Sequence, residues 1–284
     1  MNINSNTRYL GIIGNPLQHS LSPWLHNRTL HHLGLNYVYL PLQIDAAQLR
    51  GAVKAIRSLG FRGVNVTIPF KEKVMPWLDE LSPESAACGS VNVIVNHCGR
   101  LSGHNTDGAG FMRALLEHPI NRQESALLIG CGGAARAVAY QLVMAGWRKL
   151  VLLDLDIDRA RVLADFITKQ AALKVLALPM SQAVFNQQAS QVDLIVNCTP
   201  VGMYPAFDHT PVSTLHTVRP GTVCCDIIYN PQVTRFIRMA REAGLKTVDG
   251  LSMFVYQAAL SLKLWLDIEA PLEFMRGVAV DGLR

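Results

Sequence analysis

Short apolar runs alternate along this chain with longer segments in which apolar residues recur every three or four positions. The runs predict strands at residues 9–13, 37–42, 63–68, 91–96, 100–102, 126–129, 150–153, 174–177, 194–196 and 223–227. The periodic segments predict helices at residues 22–33, 47–59, 71–78, 83–88, 109–117, 134–145, 251–266 and 271–280. Ser22 is the expected N-cap of the first helix, because Pro23 follows it. Such alternation favours an α/β fold with helix-covered parallel strands.

The run at residues 126–129 ends in a glycine-rich turn from which a helix begins. Gly130, Gly132 and Ala135 occupy the three small positions of a G-x-G-x-x-G/A pattern, which lets the backbone approach a pyrophosphate at a helix N-terminus. Asp154 ends the following apolar run, 19 residues beyond Ala135, where an acidic side chain accepts hydrogen bonds from an adenosine ribose. The pattern predicts a dinucleotide-binding domain of the Rossmann type.

Three acidic residues lie within five positions at this point: Asp154, Asp156 and Asp158. A solvated helix start, where the helix dipole favours acidic side chains, is the better interpretation for Asp156 and Asp158. Asp154 stands at the carboxyl end of a strand, so contact with the ribose is the better interpretation there. Because three carboxylates would repel a 2′-phosphate, the sequence predicts NAD rather than NADP.

A polar segment at residues 118–125, with Pro119 inside it, divides the chain into two α/β series. We expect an N-terminal substrate domain at residues 1–117 and a doubly wound, parallel-sheet cofactor domain at residues 118–250. The helices within residues 251–284 are expected to pack back on the first domain.

Composition narrows the classes of function. Half of the 284 residues are hydrophobic, and the basic residues behind the net charge of +5 are scattered, so nucleic acid is not an expected partner. The N-terminus has no signal-peptide pattern, and no apolar stretch reaches the length of a membrane span, so no membrane association is expected. The six cysteines form neither a C-x-x-C pair nor a zinc spacing, which predicts reduced thiols, no metal site and a cytoplasmic protein.

Several polar side chains of the first half follow predicted strands: Ser20, Ser22, Asn65, Thr67, Lys71, Asn92 and the segment 105–107. In open α/β sheets ligands bind outside the carboxyl ends of the strands, so this set could surround a small molecule rich in hydroxyl groups. Each residue also has a structural alternative: Ser22 and Asp107 could cap helices, Asn92 could occupy a turn, and Lys71 could be solvated. As a set they favour a shared site.

Eight sequence blocks resemble those of shikimate dehydrogenases and the related quinate/shikimate dehydrogenases, in order and in spacing. They are GNPLQHSLSPWLHN (14–27), NVTIPFK (65–71), VN (91–92), NTDGAGF (105–111), GCGGAAR (130–136), NCTPVGM (197–203), DIIYNP (226–231) and DGLSMFVYQA (249–258). The resemblance covers nearly the whole chain.

This resemblance implies a reversible hydride transfer between a nicotinamide cofactor and a ring carbon of shikimate or 3-dehydroshikimate. It implies that Lys71 and Asp107 are the catalytic pair. The implied substrate-binding residues are Ser20, Ser22, Thr67, Lys71, Asn92, Asp107, Tyr229 and Gln257. The implied cofactor-binding residues are Gly130, Cys131, Gly132, Gly133, Ala134, Asp154, Asp156, Arg159, Asn197, Cys198, Thr199, Ile227 and Gly250.

The resemblance leaves alternatives for cofactor and substrate. NADP-using members carry an Asn-Arg-Thr-like run where this chain has Asp154-Leu155-Asp156, so NAD is the expected cofactor, while Arg159 keeps NADP as the alternative. An NAD preference suggests quinate as the alternative main substrate, whereas Ser20-Leu21-Ser22 is the form found in enzymes that prefer shikimate. A dinucleotide-sensing module without catalysis is the less favoured hypothesis, and the chain is expected to be a monomer or a homodimer.

Overall fold

A computed structural model describes residues 3–118, 120, 122–171 and 173–283, so that Pro119 and Asn121 of the expected boundary segment lie outside the described residues. The strands are β1 (Arg8–Gly14), β2 (Tyr37–Gln43), β3 (Gly63–Val66), β4 (Glu80–Leu81), β5 (Val93–His97), β6 (Arg100–His104), β7 (Ser125–Ile129), β8 (Lys149–Asp154), β9 (Lys174–Pro179), β10 (Leu194–Asn197), β11 (Val223–Asp226) and β12 (Lys246–Val248). The helices are α1 (Ser22–His32), α2 (Leu49–Ser58), α3 (Pro83–Cys88), α4 (Asp107–Leu116), α5 (Gly133–Met144), α6 (Ile157–Thr168), α7 (Gln182–Ala189), α8 (Arg235–Glu242), α9 (Gly250–Leu266) and α10 (Leu272–Asp281). Short 3₁₀ turns occur at Ala46–Gln48 and Met75–Trp77.

The chain divides into two compact units, one of Met1–Asp107 with Val255–Arg284 and one of Gly108–Phe254. The first contains a six-stranded mixed sheet in the order β2-β1-β3-β5-β6-β4. β5 pairs antiparallel with both β3 and β6. The β5–β6 hairpin turns through Cys98 (φ 51°) and Gly99 (φ 87°), the left-handed pair that a tight hairpin needs. The first unit therefore combines β1, β2 and β3, which run parallel, with an antiparallel extension.

The second unit contains a six-stranded sheet in the order β12-β11-β10-β7-β8-β9, with every pair parallel. This is the classical doubly wound order, in which the direction of winding reverses between the first and fourth strands of the unit. Those strands are β7 and β10, and ligands of such sheets bind at the carboxyl ends of the strands on either side of the reversal. The predicted fold class is confirmed.

Each unit is stabilised by its own hydrophobic core. In the first, Phe70, Val64 and Ile94 are fully buried together with apolar residues of α2. In the second, Leu127, Ile195 and neighbouring strand residues pack against α7 and α8. Within the described residues, no helix is long and apolar enough to cross a membrane.

Some element predictions were wrong, each for a local reason. Ser22 is not an N-cap: Leu21 takes that position without a side-chain hydrogen bond, and Ser22 is the first helical residue. Residues 71–78 form only the 3₁₀ turn Met75–Trp77, because Pro76 has no N–H to donate to a longer helix. The edge strands β4 and β12 were not predicted, since two or three residues are too few to show a period.

Candidate active site

Lys71 and Asp107 form a buried ion pair in the first unit. The Nζ atom of Lys71 lies 2.5 Å from Oδ2 of Asp107, and their side chains are 15% and 7% exposed. Lys71 follows β3 through a turn closed by the bond from Phe70 N to Thr67 O, and Asp107 is the first residue of α4. A lysine and an aspartate so little exposed are seldom found unless they are paired, as they are here.

Asn92 fixes the carboxylate of this pair. Its Nδ2 donates to Asp107 Oδ1 at 2.8 Å and to Thr106 Oγ1 at 2.9 Å, while its Oδ1 accepts from Thr106 N at 2.8 Å. Both oxygens of Asp107 are therefore engaged, one by an amide and one by the ammonium. The arrangement orients the Lys71 side chain, which as an ammonium can give a proton to a bound oxygen and as an amine can accept one from a hydroxyl.

Further hydrogen bonds, made through Asn65, hold the backbone of Asn92 in place. Asn65 Nδ2 donates to Asn92 O at 3.1 Å and to Ser261 Oγ at 3.2 Å, and the hydroxyl of Tyr39 donates to Asn65 Oδ1 at 2.7 Å. Asn65 was noted in the sequence as a polar residue near a strand end, whereas Tyr39 was not. A buried tyrosine needs a partner for its hydroxyl, and that requirement is the signal in the sequence that could have identified Tyr39.

The candidate serines and Thr67 lie beyond the neighbouring ends of β1 and β3. Ser20 Oγ accepts a hydrogen bond from Ser22 N at 3.4 Å, at the first turn of α1. A Cβ atom at Gly14 would lie 2.3 Å from Cγ2 of Thr67, so the absence of a side chain there lets the two loops approach each other. Parallel pairing of β1 with β3 places both loops at the same edge of the sheet.

The structure does not place every predicted substrate residue in one unit. Gln257 lies on α9 within the first unit, where its carbonyl accepts from Ser261 Oγ at 2.9 Å. Tyr229 belongs to the second unit, and its ring stacks on Phe254 with centroids 4.1 Å apart. The first unit thus holds all the substrate candidates except Tyr229, and side-chain hydrogen bonds join Lys71 and Asn92 to Asp107.

In the second unit, the glycine turn after β7 is tightly packed against the turn after β10. Gly130 has φ 91°, and a Cβ atom there would lie 2.7 Å from Cγ2 of Thr199. Gly132 is the N-cap of α5 and provides no side-chain cap, so the N–H groups of the first turn are left for a ligand such as phosphate. A Cβ at Gly132 would lie 3.3 Å from Nη2 of Arg159, which places that guanidinium against the same turn.

Asp154 ends β8 and is held in place by the backbone. Its Oδ2 accepts from Cys131 N at 2.7 Å and its Oδ1 accepts from Asp156 N at 3.0 Å. Each carboxylate oxygen keeps a further lone pair, so the group can still accept the two hydroxyls of a ribose. Asp156 is the N-cap of α6 and accepts from Asp158 N, in agreement with the helix-start interpretation. Leu155, between Asp154 and Asp156, is 87% exposed.

On the other side of the winding reversal, Asn197 and Thr199 form a compact turn after β10. Asn197 Oδ1 accepts from Thr199 N at 3.1 Å and from Thr199 Oγ1 at 2.7 Å. The amide of Asn197 faces Asp226, a buried carboxylate at the end of β11. Asp226 was missed as a candidate, although it ends its strand as Asp154 does, and that position is the signal that could have identified it.

Ile227 and Gly250 lie together at the start of α9. Ile227 N donates to Asn197 O at 3.2 Å, and a Cβ atom at Gly250 would lie 2.4 Å from the carbonyl oxygen of Ile228. Only glycine allows α9 to begin so close to this backbone. The candidate cofactor residues that follow β7, β10 and β11 therefore lie together at the carboxyl ends of these adjacent parallel strands.

The cysteine thiols near the carboxyl ends of these strands are neutral, so they are neither activated nucleophiles nor ready metal ligands. Burial raises the pKa of the Cys131 thiol to about 12 and that of Cys198 well above its usual value. All six cysteines are free. In the part of the chain that the structure describes, no group of three His, Cys, Asp or Glu side chains could hold a metal ion.

Comparison with known proteins adds a family to this geometry. Residues 12–94 match the model of the shikimate dehydrogenase substrate binding domain, and residues 250–279 match that of the shikimate 5′-dehydrogenase C-terminal domain. A protein of Syntrophomonas wolfei named shikimate dehydrogenase (NADP(+)) is 49% identical over 283 residues, covering 100% of this chain and 98% of the relative.

Solved structures agree over the full length. A shikimate dehydrogenase in complex with NADP⁺ superposes with a TM-score of 0.91 at 34% identity, covering 100% of this chain and 98% of the other. Shikimate 5-dehydrogenase from Listeria monocytogenes, solved with shikimate and NAD, gives a TM-score of 0.88 at 32% identity and 98% coverage of both chains.

Proposed function

The chain belongs to the shikimate dehydrogenase family of NAD(P)-dependent oxidoreductases, and we propose that it interconverts shikimate and 3-dehydroshikimate with NAD as its preferred cofactor. The observation that carries the proposal is the buried pair of Lys71 and Asp107, fixed by Asn92, in the unit that matches the family's substrate-binding model. A dinucleotide-sensing module would have no use for a buried ammonium and carboxylate, so catalysis is favoured over sensing.

Lys71 is the proposed proton donor and acceptor of the reaction. The nicotinamide ring, when bound, accepts the hydride from the substrate carbon or returns it. Reduction of the ketone leaves an alkoxide, to which the Lys71 ammonium gives a proton; oxidation requires the same nitrogen to take one from the hydroxyl. Asp107 orients the ammonium through its Oδ2 atom and can accept a hydrogen bond from a second substrate hydroxyl.

The remaining polar groups are proposed to hold the substrate by its carboxylate and hydroxyls. Ser20 and Ser22 are assigned to the carboxylate, because Ser22 begins α1 and Ser20 lies two residues before it, where the partial positive charge of the helix N-terminus favours an anion. The assigned hydroxyl-binding residues are Thr67, Asn92, Asp107, Tyr229 and Gln257. The family resemblance supports these roles, and the burial of Asn92 and Asp107 is consistent with them.

The second unit is proposed to hold the dinucleotide. Its residues fit such a group, because Gly130 and Gly132 carry no side chain at the turn and the N-cap of α5 makes no side-chain hydrogen bond to the first turn. The assigned residues are Gly130, Cys131, Gly132, Gly133, Ala134, Asp154, Asp156, Arg159, Asn197, Cys198, Thr199, Ile227 and Gly250. Arg159 is assigned to the phosphates because its guanidinium lies against Gly132.

The preference for NAD is proposed from the carboxylates at the end of β8. Asp154 and Asp156 would repel a 2′-phosphate, and the exposed Leu155 offers no cation to bind one. The related enzymes are named for NADP(+) or were solved with either cofactor, so the preference is a property proposed for this chain's own residues.

The reaction is tested by following absorbance of the reduced cofactor with shikimate and NAD, and then with NADP and with quinate. We expect the highest kcat/KM with shikimate and NAD. Leu155→Arg should improve the NADP reaction at the expense of this preference, since a guanidinium can pair with a 2′-phosphate. The absence of turnover with every one of these pairs would contradict the proposed function. A higher kcat/KM with quinate than with shikimate would reassign the substrate. A preference of the unmodified protein for NADP would contradict the cofactor proposal alone.

A further inference from the structure

Asp226 is a buried carboxylate to which the reaction assigns no step. It is the last residue of β11 and only 2% exposed. Its Oδ1 accepts from Ile228 N at 3.0 Å, its Oδ2 accepts from Thr234 Oγ1 at 2.7 Å, and Asn197 Nδ2 lies 3.1 Å from both oxygens. All three donors are neutral, so the carboxylate is held by hydrogen bonds without an ion pair in the described part of the chain.

These donors belong to three different segments. Asn197 ends β10 and bonds to Thr199 and Val201 of the following turn. Ile228 lies in the turn after β11, beside Gly250. Thr234 is the N-cap of α8 and accepts from Ile237 N. One carboxylate therefore connects two loops of the proposed cofactor site with the start of a helix.

We propose that Asp226 is a positioning residue for the dinucleotide, and that its ionised carboxylate holds the turns after β10 and β11 in the geometry that binds the cofactor. The inference rests on the proposed function, because it assigns these turns to the cofactor. Asp226 acts through Asn197 and the backbone of residues 227–228 and contacts no reacting atom.

Only the ionised form can accept all of these bonds. A proton on Oδ2 would reverse the bond with Thr234 Oγ1 and weaken the bond from Asn197 Nδ2 to that oxygen, so the turn after β10 would be held less firmly. The titratable groups that face Asp226 are the thiols of Cys198 and Cys225, and burial raises both of their pKa values well above the usual range, so they stay neutral. From α8, the guanidinium of Arg235 points elsewhere and donates to the carbonyl of Asp208.

Burial without a cation also raises the pKa of Asp226 from 3.8 to about 7. The carboxylate therefore changes protonation state near neutral pH, while its hydrogen bonds are those of the ionised form. Cofactor affinity should accordingly fall as the pH drops below about 7.

The experiment measures the Kd of NAD by calorimetry for the unmodified protein, Asp226→Asn and Asp193→Asn. Asp193 is the control, because it is also buried and accepts from Ser125 N and Oγ. It differs from Asp226 in that it forms an ion pair with Arg219 and precedes β10, at the amino ends of the strands. At about pH 8 we expect Asp226→Asn to weaken NAD binding about tenfold or more, the scale of hydrogen bonds to a charged group. Asp193→Asn should lower the melting temperature and leave the Kd within about twofold.

The pH arm separates positioning from a merely structural role. The unmodified protein should bind NAD several-fold more weakly at about pH 6 than at about pH 8, and this dependence should persist in Asp193→Asn and disappear in Asp226→Asn.

An Asp226→Asn protein that binds NAD as tightly as the unmodified protein would overturn the inference and leave the proposed function intact. If Asp226→Asn does not fold, the unmodified protein alone decides: a Kd that is independent of pH between about 6 and 8 overturns the inference. Failure of the unmodified protein to bind either NAD or NADP would overturn the proposed function as well.

Discussion

The ammonium of Lys71 and the carboxylate of Asp107 are charges that proteins usually keep in water, and only their pairing makes their burial tolerable. Asn92 and Lys71 occupy both oxygens of Asp107, so the carboxylate is oriented before any substrate arrives. Pre-organisation of this kind is what an acid–base group needs, because its geometry does not have to be assembled during the reaction.

Lys71→Ala is therefore expected to lower kcat by roughly a hundredfold or more, the usual scale for losing positioned acid–base help. The Kd of NAD should not change, since Lys71 lies outside the unit proposed to bind it. Steady-state kinetics with shikimate and NAD measure the first quantity, and calorimetry measures the second. Turnover close to that of the unmodified protein would remove Lys71 from the proposed role.

Asp226 gives a prediction about stability as well as binding. Its pKa is raised to about 7 in the folded protein, so between its ordinary value and 7 the folded state binds a proton that the unfolded state has released. Its contribution to the free energy of unfolding is therefore largest at low pH and falls as the pH rises towards 7, by up to about 1.4 kcal/mol per pH unit.

Urea denaturation of the unmodified protein and of Asp226→Asn isolates this contribution, because all other titrating groups are shared. The difference in unfolding free energy (unmodified minus variant) should decrease from about pH 5 to about pH 7 and then become constant. A difference that stays level over this range would mean that the pKa of Asp226 is ordinary.

Among single residues, the sequence was most informative where chemistry is tied to a strand end. Lys71, Asn92 and Asp107 were selected as polar groups after strands and by resemblance, and the structure joins them by hydrogen bonds. Asp226 is the first residue of the block DIIYNP (226–231), but the sequence assigned it no role. Its importance depends on Asn197 and Thr234, which are 29 and 8 residues away and meet it only after the sheet has formed.

At the scale of elements, long periodic segments were predicted well and short ones were not. The stripe at residues 251–266 predicts α9 to within one residue, because a buried helix of this length repeats its pattern several times. β4 and β12 are edge strands whose formation depends on pairing with β6 and β11. Tertiary contacts of that kind leave no periodic pattern in two or three residues.

The packing of α9 on the first sheet depends on the absence of a side chain at Gly63. A Cβ atom there would lie 2.0 Å from Nε1 of Trp265, which is fully buried and donates to Ile94 O at 2.9 Å. Gly63→Ala must displace this ring or break its hydrogen bond, so we expect a loss of at least about 3 kcal/mol in unfolding free energy.

Gly51→Ala is the matched control for that substitution. Gly51 is exposed in α2, and nothing lies within 4 Å of a Cβ built on it, so alanine should stabilise the protein by up to about 1 kcal/mol. Urea denaturation followed by tryptophan fluorescence compares the two variants. Equal stability of both would show that α9 does not require this close approach.

At the scale of the whole molecule, the sequence predicted two α/β domains with the C-terminal helices returning to the first. The compact units divide after Asp107 and after Phe254, whereas the proposed domains divide after residues 117 and 250. Both observed divisions fall inside helices, α4 and α9, which continue from one unit into the other. A polar segment indicates a loop between elements of secondary structure. It cannot indicate a boundary between compact units that lies inside a continuous helix.

This division of the chain predicts where each ligand protects the backbone. A bound ligand slows hydrogen exchange only at amides whose exposure requires the ligand to dissociate. Shikimate should therefore slow amide hydrogen exchange in peptides covering residues 65–71, 91–92 and 105–107, which lie in the first unit. NAD should slow exchange in peptides covering residues 130–136 and 197–203, which lie in the second. At a ligand concentration about 100 times Kd, the slowing should reach roughly a hundredfold where exchange requires release of the ligand.

Peptides of α2 and α10 serve as internal controls, since neither helix carries an assigned residue. Protection by NAD that was confined to the first unit would refute the assignment of the dinucleotide to the parallel sheet, whatever the kinetics showed.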